Sequence, residues 1–568
     1  MISSIKDTFQ SMKRIMTITL ALLMTIGSIW AQTSAVKNAA KSVFTLNTYN
    51  SEGLLTATSH GVFVGDNGEC ISDLRPFVDA AKATVTDAKG NTMNVTRILG
   101  VNDLYNVIRF RVDGKTTPLP LATQSASSGQ QVWLVSADNG KTIATPATVN
   151  NVEQFMDQYA FYILALQAPD NTTSCPFVNQ NGEVIGIQQA SATSFNIHAV
   201  DARFVRTLCT NGMSLGNSTM RKIGIPMALP ADKEQALLTL MMSGEQADSI
   251  KRSAIVADFI AAYPEMSEGY AAEAQMALNA KDFDRAAQSM ETAIKKVTNK
   301  DEAHFEYGKI IYNKELYLAD HPYKPWSLDK ALDEVQQAYA INPLSNYQYQ
   351  AAQIIFSQGA YEKAYEMFMN LTHSDIRNPE QFYGAARCKQ LMQAPEREVI
   401  ALLDSAIVNT DTLRLYEAAP YFLLRGQMYN QTDSFRQAVF DYTRYEILSN
   451  GQVNDSFYYM RHQAEVKGRL YKQALSDITA AILLNPREPM YYAEKASLEL
   501  KVNRVEDAMT TASYCVKLAP EYAEGWLLLG LAQVNNNMKQ EGLKNMEKAK
   551  ELGNEQAQSF IDKYEKEN

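Results

Sequence analysis

Between residues 36 and 212, short apolar runs alternate with turn signals. They read "GVFVGDNGECIS", "ATVTDAKGNTMNVTRIL", "NVIRFRV", "QQVWLVSADNGKTIATPATV", "FYILAL" and "EVIGIQQA". Asp66-Asn67-Gly68, Lys89-Gly90-Asn91 and Asn139-Gly140 punctuate them. Apolar runs separated by turn residues roughly every ten positions predict an all-β barrel or sandwich. Residues 213–230 have no clear period and predict a linker. From 231 onward Gly and Pro thin out, and Ala, Leu, Lys, Glu and Tyr recur at helical spacing, which predicts an all-α half to residue 568.

The helical half repeats itself. Ala474, Ala508 and Gly542 are separated by 34 residues, as are Pro486 and Pro520, Tyr492 and Trp526, and Ala496 and Gly530. Each unit has an aromatic opening its first helix, a small residue four later that lets the second helix approach, and a proline that closes it. Weaker copies lie around Phe422, Gly426 and Ala438, around Tyr361, Ala364 and Phe368, and around Tyr270, Ala274 and Ala286. The unit holding Ala331, Ala338 and Pro343 has a longer connection, "NKELYLADHPYKPW". The pattern resembles the tetratricopeptide repeat, in roughly seven or eight units. The resemblance implies a solenoid whose groove takes protein or peptide ligands. The recurring aromatics are expected to stack the core. Groove contacts are expected from polar residues of the inner helices, such as Asn430, Arg461, Lys495 and Asn535.

The start of the chain adds a destination. Lys13 and Arg14 precede the short apolar run "IMTITLALLMTIG" and the small-residue stretch "SIWAQTSA". This predicts a secretion signal over residues 1–31, with cleavage after Ala31 or Ala35 and a start at Met1 or Met12. The expected location is periplasmic or cell-envelope associated, with no membrane insertion after cleavage. The whole chain carries a net charge of -10, and loss of Lys6, Lys13, Arg14 and Asp7 with the signal takes it to -12. Such a balance argues against a nucleic-acid binder. Five cysteines (Cys70, Cys175, Cys209, Cys388 and Cys515) are too few and too scattered for a disulfide framework. One bridge among Cys70, Cys175 and Cys209 stays open. No ligand spacing points to a metal, and no cofactor is expected.

The β half, over about residues 38–212, resembles trypsin-like serine proteases, especially the bacterial high-temperature-requirement type. "SHGVFVGDNGECISDLRPF" is similar to the family's stretch around its histidine, "NDLYNVIRFRV" to the strand bearing its aspartate, and "SGQQVWLVSA" to the strand opening its second barrel. "NTTSCPFVNQNGEVIGIQ" is similar to its nucleophile stretch, and "SFNIHAVDARFVRTL" to its closing strand and helix. The fold implied is a multidomain chain, an all-β trypsin-like double barrel followed by an all-α tetratricopeptide repeat solenoid.

That mechanism needs a hydroxyl, an imidazole and a carboxylate. The resemblance puts Arg75 at the histidine position, Asn106 at the aspartate position and Thr173 at the nucleophile. A guanidinium stays protonated and an amide carries no charge. Asn171 falls where the family has the glycine that helps build its oxyanion hole, and Asn tolerates positive φ. Ser174 and Cys175 are the candidates for a rescued nucleophile, and Asp103 for a displaced carboxylate. Neither His60 nor His198 is expected to be a catalytic base: His60 reads as a turn or surface residue, and His198 as a structural one. The expected protein is an exported, non-catalytic scaffold, with a peptidase using Thr173, Ser174 or Cys175 as the alternative.

Overall fold

Twelve antiparallel strands close into two barrels of six in the computed structural model, which describes residues 33–138, 141–167, 171–189 and 196–566. The expected secretion signal lies outside the described residues. The first barrel is built from β1 (Val43–Tyr49), β2 (Leu55–Phe63), β3 (Glu69–Asp73), β4 (Lys82–Thr86), β5 (Thr92–Asn102) and β6 (Val107–Val112), in the order β1-β2-β3-β6-β5-β4. The second uses β7 (Gln131–Asp138), β8 (Lys141–Phe155), β9 (Tyr159–Ala165), β10 (Pro176–Val178), β11 (Val184–Gln188) and β12 (Asn196–Asp201). Its order, β7-β8-β9-β12-β11-β10, repeats the first six strands later. This is the trypsin-like double barrel. Closure leaves no strand edge unpaired.

Packing explains the apolar runs. Phe44, Phe63, Phe77 and Phe110 fill the first barrel, with ring centroids 4.8 Å apart for Phe44–Phe63 and 5.0 Å for Phe77–Phe110. Each fully buried ring stabilises the fold by about 1.5–3 kcal/mol. Gly61 on β2 lets the Phe44 ring in, because a Cβ there would strike Cζ of that ring and its Cε2 at 2.7 Å.

The stretch 213–230, expected to be a linker, packs along the first barrel. Asn217 caps a short helix, Ser218–Lys222, and Ile223, Ile225 and Met227 are buried. Ile98 N–H donates to the Pro226 carbonyl at 2.9 Å, and Ala228 N–H to the Ile98 carbonyl at 2.8 Å. Its apolar positions match a barrel wall rather than a helix period, so no period was visible. Helices follow at Lys233–Gln246, Ser249–Ala262, Ser267–Asn279 and Phe283–Lys296. Arg97 on β5 grips Asp258 through Nε and Nη2, at 2.8 and 2.9 Å. One compact unit ends at Asn299, so it takes in these four helices together with the barrels.

The second unit begins at Lys300 and is a helical solenoid. First helices of 13 residues (Asp455–Lys467, Pro489–Lys501, Ala523–Asn535) alternate with second helices of 13 or 14 (Tyr471–Leu484, Val505–Leu518, Lys539–Glu551). The small residues permit close approach: a Cβ on Gly530 meets the Gly542 carbonyl oxygen at 2.7 Å. Arg461 does not face a ligand as expected. It is buried, its Nε and Nη2 bond Asp477 at 2.6 and 3.0 Å, and its Nη1 bonds Glu446 at 2.7 Å. Arg425 makes the same fork to Asp441 and reaches Asp404. A guanidinium with these three bonds is an internal staple between helices.

Candidate functional site

β3 ends at Asp73, and the chain turns through Leu74 into the short turn Arg75–Phe77. Asn106, between β5 and β6, holds that turn. Its Oδ1 accepts the Arg75 N–H at 3.0 Å, and its carbonyl accepts the Leu74 N–H at 3.1 Å. Asn106 itself has φ 49°, in the left-handed region, where Asn is among the most tolerant residues. Arg75 and Asn106 are therefore neighbours. Together with Tyr105, Phe155, Phe161 and His198 they line a cavity of about 480 Å³ to which both barrels contribute. His198 on β12 packs its ring 5.4 Å from that of Phe161. Gln189 also lines the cavity, and its buried Nε2 has no hydrogen-bond partner among the described residues. Asp103 is exposed, and its carbonyl accepts the Asn106 N–H at 3.3 Å.

The stretch 171–175 is a pinned turn. Asn171 has φ 58° and Ser174 φ 67°. Ser174 N–H donates to the Gln188 carbonyl at 3.2 Å, Cys175 N–H to the Thr172 carbonyl at 3.0 Å, and Gln188 N–H to the Cys175 carbonyl at 3.1 Å. Ser174 is fully buried and its Oγ has no partner among the described residues. Cys175 is equally buried, and burial pushes its thiol far up, away from the nucleophilic thiolate. Thr173 is half-buried.

The imidazole that bonds this turn is His60, so its expected place in a turn or at the surface is corrected. It sits within β2, paired with Thr45. Burial lowers its pKa, opposed by a hydrogen bond to the backbone of Thr173 and by the charge of Asp73. Asp73 is buried and accepts from Ser59 Oγ at 2.7 Å. Ser72 Oγ donates to the His60 carbonyl. Sequence reading missed this because a strand's period says which face a residue is on, not which distant loop crosses that face. Chemically, Arg75 supplies a permanent cation and Asn106 a neutral acceptor, while His60, in the field of Asp73, bonds the backbone of Thr173.

All five cysteines are free thiols, so the open question of a bridge among Cys70, Cys175 and Cys209 closes against one. Among the described residues no cluster of His, Cys, Asp or Glu is placed to hold a metal ion, and no helix is long and apolar enough to cross a membrane.

No family model matches the chain, and no curated protein matches it. Solved structures do. The Rv3671c protease in its inactive form aligns at 16% identity and TM-score 0.26, over 31% of this chain and 90% of that one. The active form of the Rv3671c protease from M. tuberculosis aligns at 15% and 0.28, over 35% and 87%. The serine endoprotease from Yersinia pestis aligns at 18% and 0.28, over 31% of this chain and 64% of that one. The fold class stands on the strand order of the two barrels.

Proposed function

We propose that this chain is an exported, non-catalytic scaffold whose barrels are a pseudoprotease binding module and whose helices are tetratricopeptide repeats that take protein or peptide ligands. The observation that carries it is the Arg75–Asn106 pair: the residues that the resemblance puts at the family's base and carboxylate positions are an arginine and an asparagine, and the Arg75 backbone N–H donates to Asn106 Oδ1 at 3.0 Å. Neither accepts a proton at neutral pH. The burial of Ser174 Oγ and of the Cys175 thiol supports the same reading, because an unreachable group attacks nothing. The cavity beside Arg75 keeps aromatic walls and the Gln189 donor, features suited to holding an extended peptide without cutting it.

A second reading is a peptidase rebuilt on Thr173, with His60 as base and Asp73 behind it. The hydrogen bond between His60 and the Thr173 backbone favours it. The bond goes to the main chain, however, and a general base must reach the hydroxyl proton itself. Incubation of the purified chain with a broad peptide library separates the two. No cleavage is expected; cleavage abolished by His60→Ala and Thr173→Val establishes the second reading.

A further inference from the structure

Three aromatics of the helical half share one spacing and one bond. Tyr270, Tyr492 and Trp526 each lie six residues after a proline, and each donates to that proline's carbonyl, at 3.2, 3.1 and 2.8 Å. Tyr349 stands six residues after Pro343, yet its hydroxyl donates to Glu380 Oε2 at 2.7 Å. This departure falls in a pocket of about 310 Å³ within the second unit.

The walls of the pocket are aromatic: Tyr312, Tyr349, Phe356, Tyr383 and Tyr421. The Tyr383 and Tyr421 rings lie 4.9 Å apart, and Gly384 in the same lining leaves room for the Phe368 ring, which a Cβ there would meet at 2.9 Å. Two carboxylates, Glu380 and Glu417, enter the same space. Their fields converge on Tyr421, whose hydroxyl is raised first by burial and then by Glu380 and Glu417. Aromatic faces are negative at their centres, so rings and carboxylates together favour a cation. One wall shows the preference already, since the Arg387 guanidinium lies 5.5 Å over the Phe356 ring. Within the lining two carboxylates face that one guanidinium; Glu417 also pairs with Arg414 outside the lining, an exposed pair that holds it only weakly.

We propose that this pocket binds the side chain of a lysine presented by a protein partner, with the alkyl stem along the rings and the ammonium between Glu380 and Glu417. The proposal rests on the reading of the helices as a protein-binding surface, and it names the chemistry that surface selects.

The test is titration of the full-length chain with the capped peptide Ac-Ala-Lys-Ala-NH2, against the same peptide with Gln or Glu at its centre. The lysine peptide is expected to bind about tenfold tighter than the glutamine peptide, and Glu380→Gln with Glu417→Gln to erase that margin. Arg387→Ala is expected to raise the affinity, since it removes a like charge from the pocket wall, and a loss of affinity counts against the proposal. Circular dichroism confirms that the variants are folded. Failure of the lysine peptide to bind, equal affinity for lysine and glutamine, tighter binding of the glutamate peptide, or indifference to the two Glu→Gln changes overturns the proposal. Any of these with barrels that cleave nothing rejects the pocket alone. Cleavage by the barrels rejects the non-catalytic reading and leaves the pocket standing.

Discussion

An amide at position 106 offers the same acceptor oxygen as a carboxylate and none of its charge. Asn106 Oδ1 can thus hold the Arg75 N–H at 3.0 Å while giving an imidazolium nothing to balance. The meeting of these two residues was legible through the local contexts that carry the resemblance, "SDLRPF" and "YNVIRF". His60 was not, because its partner Thr173 comes more than a hundred residues later and only barrel closure brings them together. Arg461 was misjudged for a related reason: a polar residue on an inner helix reads as exposed until Asp477 and Glu446 are seen around it. That same staple makes Glu465 a titrating group. Burial first, and then the charge of Asp477, raise its pKa from 4.5 to about 8, with Arg461 opposing and Glu446 adding to the rise. Between those values the folded chain holds a proton that the unfolded chain has lost. Its stabilising contribution is therefore complete below 4.5 and disappears as pH rises through about 8. Glu465→Gln is expected to flatten this fall, read as a smaller drop in melting temperature between about pH 5 and about pH 9 than in the parent.

At the scale of the element, the 34-residue period carries backbone as well as side chains. Arg469, Asn503 and Asn537, each 34 after the last, close the turn between first and second helices with φ of 59°, 63° and 62°. Asn suits this region and Arg does not, so the period is legible in the sequence while the strain at Arg469 is not. Arg469→Gly is expected to stabilise the chain by about 0.5–1 kcal/mol, the relief of left-handed strain less the entropy that glycine loses. Denaturant titration measures it, and destabilisation means that the Arg469 side chain contributes more than its backbone costs. The longer connection expected around "NKELYLADHPYKPW" has a measure in hydrogen bonds between repeats. Asn485 Nδ2 reaches Asp455 and Asn554 Nδ2 reaches Glu524, each across 30 residues, whereas Asn342 Nδ2 reaches Asp301 across 41. The same staple is kept, and the eleven extra residues are divided between a longer first helix, Lys300–Tyr317, and the connection that follows it to Leu328.

At the scale of the whole molecule, the change from strands to helices was legible in the hydrophobic period, but the extent of the barrel unit was not. Leu240, Ile255, Val256 and Phe259 join Phe44, Phe77 and Phe110 in one apolar cluster, although their helices read in sequence like any others. A fragment ending at 230 exposes that face, and each such side chain is worth about 1.5–3 kcal/mol when buried. The fragment 33–230 is expected to melt well below 33–299, or to aggregate. Equal melting temperatures for the two contradict the shared core. The central claim, that the barrels bind and do not cut, meets its most direct test in the intact mass of the full-length chain after incubation with diisopropyl fluorophosphate. The account predicts an unchanged mass, because Arg75 and Asn106 activate nothing and Ser174 is buried. A stoichiometric covalent adduct that disappears in Thr173→Val or His60→Ala contradicts it.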